Sequence, residues 1–342
     1  MLKKLSIFLF LSIFLTGCNL QKEEDVVTFS SWGSITETQI TKEIINNFEK
    51  ENPDIKIRFL HFPQNYFQKI HLLFASHQEP DIIFINNLYL PLYKDFLLEL
   101  NSIDFSQEKY YKKSLEALSI DNKLYAIPRD ISNLVFYYNK DLLGSEIKKE
   151  LTFDEFIEII SKIQSNEIFP ISLERDYFWT VPFSLTKNNE AQGLDIYLRL
   201  QKLYAPKPQD IGSYTMAQLF LNKKIVFYLS GRWMYPKIKE SANFNWGIIA
   251  FPGITRADAS GWAISKNCKQ KEKAIKFIKY ISNENNTSLY TSTGLITPAR
   301  IDSANKMENN EVFIKSIENS KSIKIDKRYR QKADFYNKKL FD

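Results

Sequence analysis

The sequence predicts an α/β protein, and three observations carry that prediction. Strand-like and helix-like stretches alternate from Val26 onward. The stretch "PDIIFIN" is apolar without a break, as a strand buried on both faces of a parallel sheet should be. The segments between strands place apolar residues three or four positions apart, the period of a helix with one buried face. Strand, helix, strand, helix, strand within about sixty residues makes two β-α-β units, hence a doubly wound α/β domain.

Val26 to Ser30 forms the first strand and ends at Ser31-Trp32-Gly33-Ser34. Ile40, Ile44 and Phe48 then recur at helical spacing through "TQITKEIINNFEKENP", and Pro53 stops that helix. "IKIRFL" is the second strand, "NYFQKIHLLFAS" the second helix and "PDIIFIN" the third strand. Ligands of open α/β sheets bind beyond the carboxyl ends of the strands, which is where Trp32, Asn86 and Asn87 fall.

A second block starts near "LYAIPRDISNLVFYYNKDLL", where Pro128, Arg129, Asp130, Ser132 and Asn133 interrupt two strand-like runs. "LTFDEFIEIISKI" opens with Thr152 and Glu155 at capping-box spacing, each side chain placed to bond the other's backbone. "YTMAQLFLNKKIVFYLSGRW" reads as helix, then strand, then Gly231 and Trp233 at a helix start. After "SGWAISK", Ala274, Phe277, Ile278 and Ile281 mark the apolar face of a basic helix. The tail beyond about Arg300 is polar and lysine-rich.

Composition narrows the function. The chain has 342 residues and 44% hydrophobic content, enough for about two domains with real cores. Basic residues number 46 against 40 acidic ones, and the +6 excess is spread along the chain with no arginine-rich run, which argues against a nucleic-acid partner. Lys3 and Lys4 precede an apolar run from Leu5 to Leu15 that is too short for a permanent span of roughly 20 residues. It ends in Leu15-Thr16-Gly17-Cys18, which resembles the lipobox of bacterial lipoproteins. That resemblance implies a signal peptide over 1–17, lipidation of Cys18, a polar tether over 18–25, and export to a membrane surface on acyl chains. Cys268 is then the only other cysteine, so no internal disulfide is expected, and its role is packing. His61, His71 and His77 lack metal-ligand spacing, and no motif for a cofactor is present.

The order of "FSSWGS", "FEKENPDIKI", "PDIIFIN", "YAIPRDISNLVFYYNKDLL", "LTFDEF", "FLNKKIVFYLSGRW", "FPG" and "SGWAISKNCKQKEKAIKFIKYI" resembles that of the family 1 extracellular solute-binding proteins of ABC importers, the maltose-binding-protein-like group. These phrases run from about Val26 to Arg300. The resemblance implies a two-lobe, periplasmic-binding-protein-like (type II) fold, each lobe a sheet flanked by helices. Residues 26–127 plus 262–293 would form the N-lobe and 128–261 plus 294–342 the C-lobe. Crossings would lie near Ile127 to Ile131, Thr255 to Gly261 and Gly294 to Pro298. It also implies a monomer that needs no cofactor, carries a carbohydrate-type ligand between the lobes, and delivers it to membrane permease subunits. The chain is somewhat short between Ser172 and Asn222 and after Arg300, where one wall of the cleft would be shaped.

A sugar ring offers a C–H face that packs on an aromatic plane and hydroxyls that need donors and acceptors. The resemblance gives Trp233 the stacking role, with Tyr177 and Trp179 of "DYFW" lining the cleft. Trp32, Gly33 and Ser34, with Asn86 and Asn87, would stand at strand ends. Arg129, Asp130 and Ser132 would supply polar contacts at the first crossing. Gly231, Gly261 and Trp262 complete the set, the glycines letting backbone approach ligand. Structural alternatives stand beside these: core packing for Trp262 and Trp246, a hinge ion pair for Arg129 and Asp130, and plain turns for Asn86 and Asn87. The leading function is sugar or oligosaccharide capture. Alternatives are glycerol 3-phosphate or another anionic or polyol solute, which convergence of Arg129, Arg175 and Arg232 would favour, and a surface carbohydrate-active enzyme. The enzyme needs two carboxylates across the bond, and the cleft phrases offer Asp130 as one clear candidate.

Overall fold

Five strands build the first sheet, in the order Lys56–His61, Val26–Ser31, Ile82–Asn86, Asp258–Ile264, Ile127–Ser132. The computed structural model describes residues 26–148, 150–163, 165, 167–323 and 327–340; the leader, Cys18 and the tether lie outside the described residues. Val26–Ser31 runs parallel to both of its neighbours, as two right-handed β-α-β units require. Asp258–Ile264 instead runs antiparallel to both of its own. The reason is topological: this strand returns from the other lobe and enters the sheet from the opposite end. The sheet is therefore mixed, where the sequence suggests a parallel one.

The helix Ile35–Glu51 starts on a capping box in which the Ser34 hydroxyl accepts from Glu37 N–H and Glu37 accepts from Ser34 N–H. Its buried face is Thr41, Ile44, Ile45 and Phe48. These meet Phe29, Phe277 and Trp262 in a core where the Phe29 ring lies 5.1 Å from Trp262 and 5.4 Å from Phe277, both edge-on. Edge-to-face pairs of this kind add to the burial of apolar area. Cys268 is buried in the same core and forms no disulfide among the described residues.

The second sheet has the order Trp246–Ala250, Val135–Asn139, Ile225–Ser230, Phe169–Ile171. Both of its faces are covered. Phe136, Phe156, Phe227 and Tyr197 fill one side, and Tyr137, Tyr228, Phe220 and Phe313 fill the other. Alternation along Val135–Asn139 sends successive aromatics to opposite faces. The helix Phe153–Lys162 carries the expected Thr152–Glu155 capping box. The described residues of the tail include helices, and Phe313 of Glu311–Glu318 is fully buried against the second sheet.

Three chain segments lie side by side where the lobes join. Ile127–Ser132 pairs with Asp258–Ile264, with a register shift between Ser260 and Gly261. The third is tied by Ile131 N–H to Thr297 O at 2.9 Å and Ala299 N–H to Arg129 O at 2.9 Å. The first two expected crossings thus fall on long strands of the first sheet, and the chain leaves that sheet only after Ser132.

Candidate ligand site where the lobes join

Trp32 ends its strand half-buried, and its ring packs 4.2 Å from Phe84 and 5.3 Å from Phe67. Phe67 in turn stacks on Tyr89 at 3.5 Å with an interplanar angle of 6°, so an aromatic wall continues from the strand end to the next loop. Gly33 follows at φ +147, a conformation only glycine adopts easily, and a Cβ there would sit 3.3 Å from Glu37 Cβ. The Gly33 carbonyl lies 3.0 Å from His61 Nε2, which also meets the Thr38 hydroxyl at 3.1 Å.

Beneath this wall is a buried charge network. Arg129 Nε donates to Asp130 Oδ2 at 2.7 Å, and its Nη2 lies 2.7 Å from Asp130 and 3.1 Å from Glu37. The guanidinium rests 4.2 Å over the Phe84 ring and 5.2 Å from Tyr290, so cation–π attraction adds to the ion pairs. Burial pushes the Asp130 carboxyl above its ordinary range, with Arg129 pulling the other way. Two carboxylates share one guanidinium here, which leaves the upward push in control. Asp130 is only 6% exposed, so it props the rim and presents little surface of its own.

On the second lobe, Ser230 ends its strand and Gly231 hands the chain to a short 3-10 turn carrying Trp233. The Trp233 ring is 39% exposed and lies against Gly231, where a Cβ would come within 2.0 Å of the indole. Tyr137 OH donates to the Gly231 carbonyl at 2.9 Å and fixes the turn. Arg232 points the other way. It is 4% exposed and donates to the carbonyls of Gly294, Glu308 and Asn309.

The other expected residues divide clearly. Trp262 is 0% exposed, which corrects its expected ligand role: its ring faces the first core, 4.4 Å from Phe84. Gly261 is required by strand approach, since a Cβ would fall 2.3 Å from the Ile127 carbonyl oxygen. Asn87 is buried, bonding Asp258 and the Ala259 backbone, and Asn86 caps the turn by accepting from Tyr89 N–H. Ser132 and Ser34 remain at the surface of the junction. Trp179 packs against the second core.

Tyr177 is buried, and its ring face is taken by Tyr336 of the C-terminal helix Lys327–Leu340, at 5.1 Å and 9°. Asn337 completes the cover by accepting from Tyr177 N–H at 2.7 Å and donating to Asp176 at 2.8 Å. Tyr177, expected to line the cleft, is thus covered by the C-terminal helix. Next to it, Arg256 lies 3.6 Å over Phe178 and donates to Asp258 and to Tyr329 OH, tying this cluster to the crossing strand.

Glu37 was missed, although its signal was present: Ser34-Ile35-Thr36-Glu37 has the same capping spacing as Thr152 to Glu155. No cluster of three or more His, Cys, Asp or Glu side chains suited to a metal occurs among the described residues.

Two lobes joined by three adjacent segments, with an aromatic wall on one and an exposed indole on the other, make the two-lobe fold of the maltose-binding type. Residues 32–287 match the bacterial extracellular solute-binding protein family, and the chain belongs to it. It is similar to the multiple sugar-binding protein of Streptococcus mutans, 27% identical over 326 positions covering 79% of this chain and 76% of that one. The galactooligosaccharide-binding protein of Bacillus subtilis is 22% identical, covering 84% and 78%. Among solved structures, an ABC substrate-binding protein from Listeria monocytogenes in complex with cycloalternan superposes with a TM-score of 0.79 at 22% identity, covering 92% of both chains. The sugar-binding protein MalE from Xanthomonas citri gives 0.78 at 21%, covering 91% and 90%.

Proposed function

We propose that this protein is the capture subunit of an ABC importer, closing on a neutral sugar or oligosaccharide between its lobes and delivering it to the permease subunits. The observation that carries this reading is the pair of aromatic surfaces left open: half-buried Trp32 on the first lobe and Trp233, 39% exposed, on the second. Sugar-binding relatives that match over three quarters or more of both chains support it. A neutral ligand is favoured over an anion because Arg129 and Arg232 are both committed, one to carboxylates and one to backbone carbonyls. Binding without turnover fits the site, since Asp130 is locked to Arg129 and offers no free acid for hydrolysis. Closure follows from differential affinity: a ligand that touches both lobes only when they are shut shifts the population toward the shut form.

A thermal-shift screen of the body from Glu23 onward tests the reading, with mono- and oligosaccharides, polyols and glycerol phosphoesters as ligands. Stabilisation by a neutral sugar that is recovered intact is expected. Stabilisation by phosphoesters alone, or cleavage of the sugar, would overturn it. The mature protein is held at the outer face of the cell membrane, or the periplasmic side, by acylated Cys18. Cys18→Ser should abolish acyl labelling in cells, and a normally acylated variant would refute the anchor.

A further inference from the structure

A concavity of about 1160 Å³ opens on the second lobe, lined in part by Trp246, Tyr138, Tyr235, Asn309 and Asn310. It opens on the far side of the Trp233 turn, where Arg232 donates to the Asn309 carbonyl. Trp246 pairs with Asn139, at the opposite end of the strand pair from Val135, which sits beside Ser230 and the Trp233 turn. The strand Trp246–Ala250 is an edge strand, and the groove runs along it toward the helix Glu311–Glu318.

The lining has the chemistry of a saccharide site. Trp246 is half-buried with its ring edge-on to Tyr235 at 5.8 Å. The Tyr138 ring lies over Gly247 on the opposite face of the sheet from Trp246, where a Cβ would come within 2.6 Å of it, and meets the groove around the edge strand. Polar groups stand beside the rings. Asn309 Nδ2 donates to Tyr235 OH at 2.7 Å and keeps its carbonyl for another donor. Asn310 is 6% exposed, and its Oδ1 has no partner among the described residues, an unmet acceptor in a buried position. Charges of both signs are interspersed: Lys239 pairs with Glu308 and Lys315 with Glu150, while Lys140, Glu311 and Glu318 also line the groove. Such a lining attracts no ion in particular. Rings for C–H faces, with amides as donors and acceptors, suit a neutral polyhydroxylated ring.

We infer that this groove is a second site for a neutral oligosaccharide, separate from the interlobe cleft and independent of what the cleft binds. The test is saturation-transfer NMR on the mature chain with maltotetraose and with stachyose at millimolar concentration. Trp233→Ala serves as background to weaken the cleft. Transfer from at least one sugar should persist in that background and fall about three- to tenfold when Trp246→Leu or Asn309→Ala is added, the range expected for losing one stacking or polar contact. Asn309 is exposed, so Asn309→Ala decides the matter if Trp246→Leu costs the fold. No transfer from either sugar in the Trp233→Ala background overturns the inference. So does transfer that both added substitutions leave unchanged.

Discussion

The two halves of the candidate site are built on opposite plans. On the first lobe, Trp32 rests on Phe84, which rests on Arg129, which is pinned by Asp130 and Glu37. Every layer there is held by the one beneath it. On the second lobe, Trp233 lies on a bare glycine at the end of a strand, and none of the ring contacts among the described residues joins it to Trp32. One half is a fixed floor that costs stability to alter. The other is an exposed aromatic face whose value is realised only when something is placed against it. A protein that closes on ligand needs this asymmetry, because contacts already satisfied in the open form cannot reward closure.

Substitutions on the two halves should therefore separate stability from affinity. Arg129→Ala has the largest expected effect. It strands two carboxylates in the junction and should cost about 3–5 kcal/mol in a urea titration. A loss below about 1 kcal/mol would mean that water reaches the network and relaxes it. Trp233→Ala should do the reverse, weakening ligand by about 1–3 kcal/mol in calorimetry with little change in melting temperature. Unchanged affinity would place Trp233 outside the site.

Gly231→Ala sharpens the contrast, because the new methyl would arrive 2.0 Å from the indole. The exposed ring can swing away, so affinity should drop while stability changes by less than the roughly 1–3 kcal/mol of core overpacking. An unfolded variant would show that the turn is rigid and not merely a platform. The smallest effect concerns pH. Burial raises Asp130 above its ordinary 3.8, so folding takes up a proton there. Its contribution to stability is full below the unfolded value and is lost as pH rises through the folded one. An NMR titration of the Asp130 carboxyl should give a midpoint above 3.8. A midpoint below it would show that Arg129 outweighs burial.

Local signals were legible in the sequence, and tertiary ones were not. Periodicity located the strands around Val26 and Ile82 and the helix through Phe48. Capping spacing located the start of the Phe153 helix and would have flagged Glu37 had it been applied there. Trp262 could not be assigned to core or cleft from its neighbours, because successive strand residues face opposite ways and the register shifts at Ser260 and Gly261. The cover on Tyr177 was hidden for a different reason. Its cover, Tyr336, comes from a distant tail whose lysines hide an inward face of Tyr329, Tyr336 and Asn337. The same distance obscured Arg232, whose three carbonyl acceptors belong to segments far along the chain.

Closure of the lobes around ligand is the central step, and a distance across the cleft measures it directly. Spin labels at Lys50→Cys on a first-lobe helix and Lys202→Cys on a second-lobe helix would report it by pulsed electron resonance, with native Cys268 buried and 3% exposed. Saturating sugar should move the distribution to shorter distances in the otherwise native protein and leave it in place in Trp233→Ala at the same concentration. A distribution that stays put when the native protein is demonstrably saturated would contradict closure as the mechanism.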